Sequence, residues 1–139
     1  MNLQENIYNV IKDYPLAALA TIAEDDRPWV RYMVIAVEKD LTIRFVTAMD
    51  SRKISQIRLN PEVHITCGAT SATAMTPYLQ IQGKAHTSRD ETLRNEMWAD
   101  ELKSYFAGPD DPNYCVVIVD PYRIEYYDMS SSVPKIWKR

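Results

Sequence analysis

Arg31, Thr47 and the triplet Ser51-Arg52-Lys53 lie within one stretch, WVRYMVIAVEKDLTIRFVTAMDSRKISQIRLNP, running from Trp29 to Pro61. Arg31 is a lone arginine in an apolar, strand-like run, Thr47 ends the next strand, and Ser51 opens a helix. The first turn of a helix presents backbone N–H groups without intrahelical partners, together with the positive end of the helix dipole. Serine is a good cap there, and guanidinium and ammonium groups donate strong charge-assisted hydrogen bonds to oxyanions. That combination is chemistry for holding phosphate. Both alternate faces of Trp29 to Val37 are apolar, so this strand is expected to be buried on each side and Arg31 to be partly buried with it. A buried guanidinium needs an anionic partner, either one of the nineteen acidic side chains or a bound anion. Ser51-Arg52-Lys53 reads in the same two ways, as a solvated helix start or as a phosphate grip. Thr47 is either a strand-end threonine or a further hydroxyl of that grip.

No other constellation points to chemistry. The two histidines, His64 and His86, have no metal or nucleophile partner nearby in sequence, and no Ser–His–Asp, Cys–His or zinc spacing can be assembled. Asp25-Asp26 and Asp110-Asp111 sit in turns, where solvated charge explains them. Cys67 and Cys115 fall inside apolar strand-like runs and read as small buried thiols rather than a disulfide. No metal site is expected, and no catalytic side chain can be named. An anion cradle without a protein nucleophile suits a cofactor enzyme, in which the cofactor carries the reactive atom.

The elements that must position these residues are mostly strands. Leu3, Ile7, Val10 and Ile11 form one helical stripe, closed by Pro15. Leu16 to Ala23 is a small-apolar run expected to be buried on both faces. Trp29 to Val37 and Leu41 to Thr47 complete a meander. Ser51 to Leu59 is a short helix ended by Asn60-Pro61. Glu62 to Gly68 turns Val63, Ile65 and Cys67 inward, and Ala69 to Met75 is a loop. Tyr78 to Ala85 buries Leu79 and Ile81 and turns Tyr78, Gln80, Gln82 and Lys84 outward. Ser88-Arg89-Asp90-Glu91 reads as a capping box, followed by a helical stripe of Leu93, Met97, Trp98, Leu102 and Tyr105. Two last strands, Tyr114 to Val119 and Tyr122 to Asp128, are expected to join at Asp120-Pro121. Residues 130–139 are a tail with no assigned element. Six or seven strands at hairpin spacing favour an antiparallel barrel, mainly β with flanking helices, in a single domain over residues 1–139. Three glycines, none in GxGxxG or a Walker loop, argue against dinucleotide and P-loop folds.

Composition sets the remaining bounds. Hydrophobic content of 46% and charged content of 25% are those of an ordinary globular protein. A net charge of −3 with interspersed signs argues against nucleic acid as a partner. No apolar run approaches the roughly 20 residues of a membrane span, and the first residues lack a signal-peptide pattern, so a cytoplasmic protein is expected.

The same residues resemble the flavin-binding split barrels related to pyridoxamine 5′-phosphate oxidase, in particular the short branch called general stress protein 26. The matching pattern is Arg31 followed by Tyr32-Met33-Val34, a strand ending at Thr47, Ser51-Arg52-Lys53, Asn60-Pro61 and Gly83-Lys84-Ala85. It continues with Trp98, Tyr105-Phe106, Gly108-Pro109-Asp110-Asp111-Pro112 and Glu125-Tyr126-Tyr127-Asp128. The resemblance implies a six-stranded antiparallel split β-barrel of Greek-key topology and a homodimer with FMN at the subunit interface. It implies that Arg31 and Lys53 grip the FMN phosphate, with Ser51 and Arg52 beside it and a hydrogen bond from Thr47. The backbone of Tyr32, Met33 and Val34 would run along the flavin ring. Tyr78 stands where longer members place a glutamine near that ring. The arginine–x–histidine motif with which the full oxidase holds its substrate is absent, so pyridoxamine 5′-phosphate oxidation is not expected.

Three functions follow from this reading. The first is an FMN-dependent oxidoreductase acting on an unidentified small molecule. The second is a non-catalytic flavin-binding or redox-buffering stress protein. The third keeps the barrel and exchanges the ligand for a deazaflavin or haem.

Overall fold

The computed structural model describes residues 2–73 and 76–139, so Ala74 and Met75, the last two residues of the expected 69–75 loop, lie outside the described residues. Helix α1, Leu3–Asp13, is capped by the Asn2 side chain, which accepts from the Glu5 backbone N–H. Its stripe of Ile7, Val10 and Ile11 is buried. Strands β1 (Leu16–Ile22), β2 (Pro28–Val34), β3 (Ala36–Val37) and β4 (Ile43–Ala48) follow. Helix α2, Arg52–Leu59, then leads to β5 (Glu62–Gly68) and β6 (Tyr78–Ser88). Helix α3 (Glu91–Met97) and a 3₁₀ turn at Asp100–Ser104 precede β7 (Tyr114–Tyr127) and β8 (Lys135–Lys138).

The strands form one antiparallel sheet in the order β2-β1-β5-β6-β7-β4-β3, with β8 added to β7. β2 pairs with β1, β3 pairs with β4, and only Ile35 separates β2 from β3. One run of chain therefore supplies both ends of the sheet and curls it into a barrel. With β2–β3 counted as one strand and β8 set aside, six strands remain, as expected for a split barrel. β5 returns through α2 to lie beside β1, which gives the Greek-key connection. Ile7, Ile11, Leu19, Phe45, Ile65, Leu79, Ile81 and Ile124 are fully enclosed. Each such side chain contributes roughly 1.5–3 kcal/mol of burial free energy.

Four expectations need correction. The Trp29–Val37 run is not buried on both sides: β2 is an edge, with Val30, Tyr32 and Val34 at 67, 77 and 65% exposure. Apolar residues on both faces of this strand mark an uncovered surface. β1 buries Ala17, Leu19 and Thr21 on one face but only half-covers the other, because nothing lies outside it. The last two expected strands are one, since β7 runs unbroken through Pro121, which pairs with Gly83 at a register shift. The bulge spares the ladder the N–H that proline lacks. Gly83 makes the close approach possible, because a Cβ there would meet Val119 Cγ1 at 2.8 Å. Finally, the helical stripe expected up to Tyr105 ends at Met97. Asp90, not Ser88, caps α3 by accepting from Leu93 N–H, while the Ser88 hydroxyl accepts from Asp90 N–H. The tail is ordered as β8, with Trp137 packed against the core.

Candidate functional site: a cationic cradle between β2 and α2

Arg31 points inward from β2 towards α2, because side chains alternate along a strand and Leu19, its partner on β1, is a core residue. Its Nη1 donates to Thr21 Oγ1 at 2.7 Å and to the carbonyls of Leu19 and Trp29 at 3.2 and 3.3 Å. Its Nη2 donates to Gln56 Oε1 at 3.1 Å. Thr21 Oγ1 in turn donates to Gln56 Oε1 at 2.5 Å. Thr21 and Gln56 are both buried. The expected alternative of an acidic partner for Arg31 is not met among the described residues, where every acceptor around this guanidinium is neutral.

Lys53 is the second residue of α2 and donates from Nζ to Thr47 Oγ1 at 2.8 Å. The Thr47 hydroxyl donates onward to Ser51 Oγ at 3.3 Å. Ser51 occupies the N-cap position, but its side chain caps no backbone N–H, contrary to expectation. In the first turn the Ile54 N–H donates to the Ser51 carbonyl at 3.2 Å, and the Ser51 side chain caps none of the amides before it. Arg52 lies over the Trp29 ring at 4.8 Å.

Electrostatically the site is one-sided. None of Arg31, Arg52 or Lys53 makes an ion pair among the described residues. Burial first, and then the charge of Arg52, lowers the pKa of Arg31. Burial first, and then the charge of Arg31, lowers that of Lys53. Like charges held together and partly desolvated are unfavourable unless an anion joins them. The donor set of two guanidiniums, one ammonium, a hydroxyl and a helix N-terminus fits a phosphate monoester well.

The structure therefore brings Arg31, Thr47, Ser51, Arg52 and Lys53 to one place. It does not bring the side chains of Tyr32 and Val34 there, because they alternate onto the opposite, exposed face of β2. Met33 packs against the core. What these three offer is the backbone of an edge strand that pairs only with β1 among the described residues. The sequence reading missed Thr21, Gln56 and Trp29. A threonine inside LAALATI and a glutamine inside a helix carry no local signal. Their burial against Arg31 is visible only once β1, β2 and α2 are assembled.

Elsewhere the chain is chemically quiet. Cys67 and Cys115 are buried free thiols, and burial pushes the Cys67 thiol up to about 12, so it is inert at neutral pH. No metal-binding cluster occurs among the described residues. His64 is exposed, and His86 lies 3.6 Å from Asp120. No helix is long and apolar enough to cross a membrane among the described residues.

The pyridoxamine 5′-phosphate oxidase like family model matches residues 2–138. The chain belongs to that family. It is 27% identical over 133 residues to general stress protein 26 of Bacillus subtilis (strain 168), covering 96% of this chain and 94% of that protein. The crystal structure of general stress protein 26 from Bacillus anthracis str. Sterne superposes with a TM-score of 0.86 at 29% identity, covering all of both chains. More distant members of the fold differ in ligand. An FMN binding protein from Nostoc punctiforme PCC 73102 shares 17% identity and a TM-score of 0.69, over 99% of this chain and 91% of that one. A heme binding protein from Mycobacterium smegmatis shares 13% identity and a TM-score of 0.79, over 99% and 58%. An F420 reductase shares 23% identity and a TM-score of 0.63, over 84% and 94%.

Proposed function

We propose that this protein binds FMN and is an FMN-dependent oxidoreductase acting on a small molecule, as a homodimer. The observation that carries the reading is the cluster of Arg31, Arg52 and Lys53 around the start of α2, three cations that make no ion pair among the described residues. Family membership and the FMN binding protein that shares the fold support flavin as the group behind the phosphate. Bound FMN would supply hydride chemistry at its ring. Arg31 and Lys53 would hold its phosphate, Thr47, Ser51 and Arg52 would surround that phosphate, and the backbone of Tyr32, Met33 and Val34 would lie along the ring. A deazaflavin also carries a phosphate and would use the same cradle. Haem has little use for it, so the cations favour a phosphorylated cofactor over haem.

The homodimer rests on the edge strand. Val30, Tyr32 and Val34, with Leu16 beside them, leave an exposed apolar surface on one face of β1–β2. Such surfaces mark interaction sites, and a two-fold copy is the commonest occupant. Light scattering at micromolar concentration should give twice the 16.1 kDa chain mass. A species of one chain mass would refute the dimer.

The functional test is spectral. Protein loaded with FMN should show flavin absorbance that bleaches anaerobically with NADH or NADPH. Flavin peaks that neither reductant bleaches would instead favour the flavin-binding or redox-buffering reading. No binding of FMN at all would overturn both. No arginine–x–histidine motif occurs among these 139 residues, so the same preparation is expected to give no turnover with pyridoxamine 5′-phosphate and oxygen.

A further inference from the structure

Gln56 is 3% exposed, and its Oε1 accepts two hydrogen bonds, from Thr21 Oγ1 at 2.5 Å and from Arg31 Nη2 at 3.1 Å. Burying an amide oxygen is costly unless it is hydrogen-bonded, and here both donors come from other elements, β1 and β2. Gln56 follows Lys53 by three residues on α2, so the helix that carries one cation also carries the group that holds the other. Arg31 and Lys53 carry like charges on facing elements, and burial first and then the charge of Arg31 lowers the pKa of Lys53. Something has to keep the two elements in register against that repulsion.

We infer that Gln56 is the positioning residue of the phosphate grip: its neutral amide oxygen aims the Arg31 guanidinium at the ligand without cancelling its charge. A glutamate here would hold Arg31 more strongly, through an ion pair, and would leave the cradle one charge poorer. The four acceptors around Arg31 (the Leu19 and Trp29 carbonyls, the Thr21 hydroxyl and the Gln56 amide) are all uncharged. They fix the direction of Nη1 and Nη2. Nε–H makes no hydrogen bond among the described residues and is left for an anion. The guanidinium is thus oriented before the ligand arrives, which reduces the ordering cost of binding. Thr21 supports the arrangement by accepting from Arg31 while donating to Gln56.

The inference rests on the phosphate-binding reading proposed above, and the test separates the two. Gln56→Glu is nearly isosteric and keeps an acceptor for both donors, whereas Gln56→Leu removes the acceptor. Each protein is titrated with FMN and with riboflavin, and its melting temperature is recorded with and without inorganic phosphate. Gln56→Glu should melt at or above the wild-type temperature, yet bind FMN about tenfold more weakly, with riboflavin affinity unchanged. Gln56→Leu should melt lower and also lose preference for FMN over riboflavin. A Gln56→Glu protein that binds FMN like wild type would overturn the inference and leave the flavin reading intact. Wild-type protein that ignores FMN but is stabilised by inorganic phosphate, with Gln56→Glu losing that stabilisation, would remove the flavin and keep the role of Gln56. Loss of the phosphate response in the wild type as well would overturn both.

Discussion

Lys53→Ala is expected to weaken FMN binding by about tenfold or more, and Arg31→Ala by at least as much. Each removes charge-assisted hydrogen bonds worth roughly 1.5–3 kcal/mol. Arg31 should matter more, because removing it also takes a donor from each of Thr21 and Gln56, both buried and left, among the described residues, with only the bond between them. Riboflavin shares the ring and ribityl chain of FMN but lacks the phosphate, so it should bind far more weakly to wild type and be almost indifferent to Lys53→Ala. The pH dependence has a definite sign. Burial, and then the charge of Arg31, lowers the pKa of Lys53, so the free protein loses this positive charge at a pH below the ordinary lysine value. FMN affinity should therefore be full at neutral pH and fall on alkalinisation before free lysine would titrate. Binding curves measured by flavin fluorescence across pH check all three statements, and equal affinities for FMN and riboflavin would sink the assignment.

Gly68→Ala should be among the most damaging single substitutions for stability. Gly68 has φ +95°, which side-chain-bearing residues rarely adopt, and a Cβ there would meet the Pro77 carbonyl oxygen at 2.3 Å and Tyr78 Cα at 2.8 Å. Both are backbone atoms, so no rotamer change relieves the clash. Gly68 pairs with Tyr78 at the end of the β5–β6 ladder, which places the strain on a barrel seam. The left-handed penalty alone is about 1–2 kcal/mol, and the forced shift adds to it. A loss of about 2 kcal/mol or more, or about 5 °C in melting temperature, is expected. Gly108→Ala is the control, since nothing lies within 4 Å of a Cβ at that position. Thermal melts in which the two variants shift alike would contradict the argument.

The barrel could be read from sequence because its strands alternate. Val63, Ile65 and Cys67 face the core and His64 and Thr66 do not, and Leu79 and Ile81 repeat the pattern. The rule failed where a strand is apolar on both faces. In β2, periodicity cannot tell a strand buried on both faces from one whose second face is left uncovered by the chain, as Tyr32 and Val34 are. Pro121 misled for another reason. Proline normally ends a strand, and only its pairing with Gly83 at a bulge lets β7 continue. Ser88 fitted a capping box locally, but β6 holds it extended to the last residue, so the cap moved to Asp90. In the site, the charged residues announced themselves by type and spacing. Thr21 and Gln56 did not, because their role depends on contacts 10 and 25 residues away from Arg31 in sequence.

β7 has a consequence for the order of assembly. It is the seam to which β6, β4 and β8 all attach, and it is made from the last quarter of the chain. Before residues 114–127 are available, β1, β2, β5 and β6 can pair among themselves, while β4 has only the two-residue β3 as a neighbour. Thr47 sits on β4, so the hydroxyl that accepts from Lys53 waits for strand partners some 70 residues downstream. Contacts of such long separation make folding slow, in the millisecond-to-second range. A ribosome-bound chain would thus hold an open four-stranded sheet, with unpaired edges, until β7 emerged, and the Thr47 side of the anion pocket would form only then.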